Sequence, residues 1–126
     1  REINPDILDM FQRLPEALPI FEAAQAAILA AFPDSRVKVS KTQVSYYNRY
    51  LYAALWPSTR KIKGRPGVYI VLTFGLGYRV VHERIVESVE PYPGRWTHHV
   101  LIARPEELDE QALAWLREAY DFSMNK

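Results

Sequence analysis

Apolar residues recur every three or four positions at both ends of this chain and close to every second position in its middle, a change of period that separates helix from strand. Near the start, Asn4 and Pro5 make a cap and a first helical position, and Ile7, Leu8, Phe11 and Leu14 follow at helical spacing before Pro15. A second helix is predicted to begin near Leu18 and Pro19, because Phe21, Ala24, Ile28 and Ala31/Phe32 keep that spacing until Pro33-Asp34-Ser35 ends it. At the far end Asp109 caps a helix over 110–122, with Leu108 and Leu113 as the halves of a hydrophobic staple. Leu113, Leu116 and Tyr120 centre its apolar face, with Trp115 and Ala119 at the border, and that face needs a sheet to cover.

The middle supplies the sheet. Segments 37–39, 44–46, 50–56, 68–74, 80–89 and 96–103 are rich in β-branched and aromatic residues and bounded by turn formers. Segment 68–74 is apolar at nearly every position, the pattern of a central strand covered on both faces. The connections are too short for helical crossovers, so the expectation is an α+β fold: a largely antiparallel sheet of about five strands with the N-terminal and C-terminal helices packed on it. One domain is expected over 1–126, with 1–14 a helical extension and 15–126 the core. Val37 and Val39 are odd and Val44 and Tyr46 even, so a strict period of two cannot bury both pairs on one face. A bulge at Lys41-Thr42-Gln43 or a simple hairpin turn would reconcile them.

Composition removes much chemistry. The chain has no Cys, which excludes a disulfide scaffold, a thiolate metal site and a Cys nucleophile. No apolar run reaches the length of about 20 residues that spans a bilayer, and no cleavable leader pattern is present, so no membrane partner and a cytoplasmic location are expected. The net charge of +1 gives no global field toward nucleic acid, yet 36–65 holds eight basic residues and no acidic one. Half of these fall in 60–65, a stretch that reads as a solvated loop.

Candidate chemistry is sparse. Gly75-Leu76-Gly77 follows a strand, but Val80 stands where a dinucleotide loop needs its third Gly, so these glycines are expected to supply the positive φ of a turn, and no cofactor is implied. His98 and His99 are adjacent on a strand and point to opposite faces, which argues against a shared metal. If the loop Pro91-Tyr92-Pro93-Gly94 sets Glu90 opposite Arg95, then Glu87 faces His98 and Ile85 faces Val100. Glu87 and His98 then form the one acid–base pair of interest, which is also the geometry of a structural hydrogen bond; a slip of one residue would select His99 instead. His82 and Glu83 are a weaker alternative pair.

In its segments Lys41-Thr42-Gln43-Val44-Ser45-Tyr46, Tyr52-Ala53, Arg95-Trp96-Thr97-His98-His99, and from Leu108-Asp109 through Trp115-Leu116-Arg117-Glu118-Ala119-Tyr120-Asp121-Phe122, the sequence resembles a bacterial and archaeal family of domains of unknown function. That family also occurs as the C-terminal module of proteins labelled predicted transport proteins. The resemblance covers about 14–126 and implies a compact α+β domain, without assigning catalytic residues. The leading functional reading is a small binding module whose cleft, lined by Lys41, Tyr46, Arg49, Arg95, Trp96 and His98, takes an anionic or aromatic small ligand. The alternative is a nucleic-acid or protein interaction module built on the basic zone, with Tyr47, Tyr50 or Trp56 stacking on bases. An enzyme using Glu87 and His98 comes third.

Overall fold

Helices at the two ends of the chain enclose six strands in a computed structural model that describes residues 4–59 and 62–125. Helix α1 (Pro5–Met10) starts where the Asp6 amide donates to Asn4 Oδ1 at 2.8 Å and Pro5 occupies the first turn. After a 3-10 turn at Pro15–Ala17, α2 (Leu18–Ala31) buries Ile20, Phe21, Ala24 and Ile28 along one stripe and stops at Phe32. Helix α3 (Glu110–Met124) begins at Asp109, whose carboxylate accepts the Ala112 amide and pairs with Arg84 at 2.9 Å. Its buried face is rotated from the expected one. Ala112, Trp115, Leu116, Ala119 and Ser123 are buried, while Leu113 and Tyr120 lie half-buried at the border. Small residues at 112, 119 and 123 let the helix approach closely, and Trp115 stacks on Phe74 at 5.7 Å between centroids.

The strands are β1 (Arg36–Val39), β2 (Val44–Tyr47), β3 (Leu51–Pro57), β4 (Ile70–Leu76), β5 (Ile85–Tyr92) and β6 (Arg95–Ile102). They form one sheet in the order β1-β2-β3-β4-β6-β5 with every described pair antiparallel, an α+β fold of six strands rather than about five. Val39 pairs with Val44 and Val37 with Tyr46, so an ordinary hairpin resolves the parity conflict and sets both pairs on one face. Even positions of β4 join the helices in a single core: Ile70, Leu72, Phe74 and Leu76 meet Val44, Tyr46, Leu55, Val100 and Ile102 with Phe21, Ile28, Trp115 and Leu116. Ile7 and Phe11 from the N-terminal segment belong to the same cluster. Among the described residues no helix lies on the opposite face of the sheet.

Two expectations about turns are corrected. Strand β4 runs on through Gly75 and Leu76, which pair with Thr97 and Trp96, and neither Gly75 nor Gly77 has a positive φ. Gly75 answers a close approach instead, because a Cβ there would lie 2.8 Å from the Arg95 guanidinium. In the β5–β6 hairpin, Ile85 faces Val100 as expected, but Glu87 faces His99, Ser88 faces His98 and Tyr92 faces Arg95, with register shifts between Ile85 and Glu87 and between Val89 and Tyr92. Each irregularity adds one residue to the sum of paired numbers, so the turn tightens onto Pro93-Gly94 and the expected Glu87–His98 opposition is lost. Gly94, at φ 81°, makes that tight turn possible.

Candidate functional site

The helix-free face is where polar side chains converge. Alternation along β4 and β6 places Thr73, Gly75, Arg95, Thr97 and His99 there, because Phe74, His98 and Val100 point to the core. Strand β3 adds Ala54 and Trp56, opposite Thr73 and Val71. An irregularity where β3 meets β2 leaves Tyr52 as an extra residue between Ala53, paired with Tyr46, and Leu51, paired with Tyr47. The Tyr52 ring packs with Phe32 and Tyr120, and its hydroxyl bonds Ser35 Oγ at 2.6 Å. Leu51 is thereby free to line the other face.

A cleft of about 200 Å³ results, with Ala54 and Gly75 in its floor and Gln43, Thr73, Thr97 and Arg95 around it. The Arg95 guanidinium lies against Gly75 and 5.9 Å from the Phe122 ring centroid, and it forms no ion pair among the described residues. Beside the cleft runs a chain of hydrogen bonds across three strands. Trp56 Nε1, which can only donate, bonds Thr73 Oγ1 at 3.0 Å, and Thr73 Oγ1 lies 2.8 Å from His99 Nδ1. His99 Nε2 is 3.9 Å from the Glu87 carboxylate on β5, beyond hydrogen-bond distance; in the tautomer with its ring proton on Nε2, Nδ1 accepts the Thr73 hydroxyl proton. Burial pushes the His99 pKa down; Glu87 opposes this, and Arg65 reinforces it.

Of the residues selected from sequence, Arg95 alone lines this cleft. Tyr46 is buried on the helix side, where its hydroxyl donates to Gln25 Oε1 at 2.8 Å. His98 is wholly buried, stacked on Phe74 at 5.0 Å; its Nε2 accepts the Val80 amide at 2.9 Å and its Nδ1 has no hydrogen-bond partner. Burial lowers its pKa as well. Trp96 shares that side of the sheet, 5.9 Å from the Arg79 guanidinium. Lys41 sits in the β1–β2 turn and Arg49 in the β2–β3 turn, at opposite ends of the sheet. His82 Nδ1 accepts the Arg84 amide at 3.1 Å and its ring meets Trp115 edge-on, a structural role; Glu83 is exposed.

The basic zone does not make one surface. Arg36 and Lys38 are on edge strand β1, Lys41 and Arg49 are in two turns, and Lys63 and Arg65 follow β3; Arg60 and Lys61 lie outside the described residues. Of the proposed stacking residues, Trp56 already donates to Thr73, Tyr47 is half-buried and Tyr50 sits by Arg49. Thr73, Thr97, Gln43 and His99 were not selected from sequence, although the signal was present: Arg95 shares its parity with Thr97 and His99, never with Trp96 and His98.

Among the described residues no group of three metal-ligating side chains forms, and no helix is long and apolar enough to cross a membrane. A family model described as Domain of unknown function (DUF5655) matches residues 9–123. No curated protein and no solved structure matches the chain.

Proposed function

We propose that this chain, which belongs to the DUF5655 family of domains of unknown function, is a binding module for a small oxyanion, a carboxylate or phosphate group held in the cleft of the helix-free sheet face. The observation that carries the reading is Arg95. Its guanidinium rests over a glycine, lines a cleft and has no carboxylate partner among the described residues, which leaves its planar fork of donors available to a ligand. Thr73, Thr97 and Gln43 add polar groups around it, and Ala54 and Leu51 add apolar wall. At about 200 Å³ the space is smaller than an ordinary drug-sized pocket, so the ligand is small or enters only by its anionic tip. An aromatic ligand is less well served, because Tyr46 and Trp96 face the other side of the sheet.

The test is calorimetric titration of the whole chain with inorganic phosphate and with adipate, alongside Arg95→Met. The reading expects binding by the parent protein, weakened about tenfold or more by the substitution, as loss of a charge-assisted bond requires. Equal affinities for the two proteins would contradict it.

A further inference from the structure

Resting on that reading of the cleft, we propose that Thr73 is a nucleophile that accepts an acyl group from a small ester bearing a carboxylate, with His99 as general base and Glu87 as the residue that orients its ring. The three side chains come from β4, β6 and β5 and lie in sequence across the sheet, with Thr73 Oγ1 to His99 Nδ1 at 2.8 Å and His99 Nε2 to Glu87 Oε1 at 3.9 Å. A hydroxyl, an imidazole that accepts its proton and a carboxylate on the other ring nitrogen is the arrangement that activates an alcohol. Which ring nitrogen meets which partner is reversed from the serine-protease triad, but the roles depend on geometry: the Thr73–His99 hydrogen bond is formed, and the Glu87 carboxylate stands 3.9 Å from the other ring nitrogen, within a small side-chain shift of bonding it. Thr73 also lines the cleft, so its oxygen is beside the space a substrate would fill. The Trp56 indole N–H, donating to the same oxygen at 3.0 Å, would hold it with its hydroxyl proton toward His99 and leave its second lone pair for the carbonyl carbon.

The step balances without a further reactant than water. Thr73 Oγ1 bonds to the ester carbonyl carbon while its proton passes to His99 Nδ1. The bond between that carbon and the alcohol oxygen then breaks, and the alcohol leaves with the proton from Nδ1. Water next attacks the acyl-threonine, giving its proton to Nδ1; the bond to Thr73 Oγ1 breaks, that oxygen recovers the proton, and the carboxylic acid departs. Burial keeps His99 neutral near pH 7, so the Nδ1 lone pair is available; Glu87 and Arg65 act on the ring in opposite directions. Arg95 would hold the distal carboxylate of the substrate, and Thr97 and Gln43 are cleft-lining groups whose side chains carry donors for the carbonyl oxygen.

The probe is the 4-nitrophenyl monoester of adipic acid, followed by nitrophenol release and by peptide mapping of any acylated residue. The expected result is turnover above buffer with the adipoyl group on Thr73, reduced about a hundredfold in Thr73→Val and in His99→Gln and retained in Thr73→Ser. Arg95→Met should raise KM for this ester by a larger factor than for the neutral 4-nitrophenyl butyrate, which has no distal carboxylate. Acylation mapped elsewhere, unchanged turnover in Thr73→Val, or no turnover by the parent chain would overturn the proposal. Adipate titration separates the two readings: parent binding that Arg95→Met weakens, without turnover, sinks the nucleophile alone, whereas no binding sinks both.

Discussion

At the level of single residues, what is missing at Gly75 matters as much as what is present at Arg95. A methyl group at position 75 would sit 2.8 Å from the guanidinium, and the guanidinium is the mobile end of a long side chain, so it would swing away while the strand stayed in place. Gly75→Ala is therefore expected to abolish most of the oxyanion binding with little change in melting temperature, since alanine suits a strand at least as well as glycine. Parallel thermal melts and phosphate titrations check this; a large loss of stability with binding intact would show that Arg95 is not positioned by the gap. Arg95 was chosen from sequence as a guanidinium able to bond an anion, and of that selection it alone lines the cleft. Grouping it with Trp96 and His98 failed, because neighbours along a strand face opposite ways, and the residues that do accompany it, Thr97 and His99, carry no composition signal.

At the level of elements, period and caps located the helices, including the Asn4 and Asp109 caps, because these are local properties of the chain, although α1 stops at Met10 and does not run on to Leu14. The register of β5 and β6 was legible only where Ile85 meets Val100. Two irregularities decide the rest, and whether a strand extrudes a residue depends on its partners and not on its own pattern. Those irregularities bring His99, not His98, to Glu87. In α3, Leu116 is fully buried between the helix and β3–β4, so Leu116→Ala is expected to cost about 2–5 kcal/mol in a denaturant melt. A cost near zero would mean that the helix does not cover the sheet as described. Leu113→Ala, half-buried at the border, should cost clearly less.

At the level of the whole molecule, all three helices share one core on one face of the sheet, which leaves the other face to hold polar groups. The two adjacent histidines divide between these environments, and burial holds both below the ordinary histidine range. The unfolded chain therefore takes up protons before the folded one as pH falls. The stability these histidines preserve is complete above the unfolded value of about 6.5 and is lost progressively as pH drops toward the lowered folded values. Melts between about pH 7.5 and about pH 5 should show falling stability, with a shallower fall in His98→Gln; a flat or rising profile would contradict the burial of the pair. Composition could not reveal which sheet face lies open, because Val71 and Ala54 on that face are as buried as core residues. The most direct test of the oxyanion cleft is a nitrogen-15 correlation spectrum recorded while phosphate is added. Shifts are expected at the Gly75 and Thr97 amides and the Arg95 Nε–H, absent in Arg95→Met; shifts confined to Lys41 or Lys63, or none at all, would rule out oxyanion binding in the cleft.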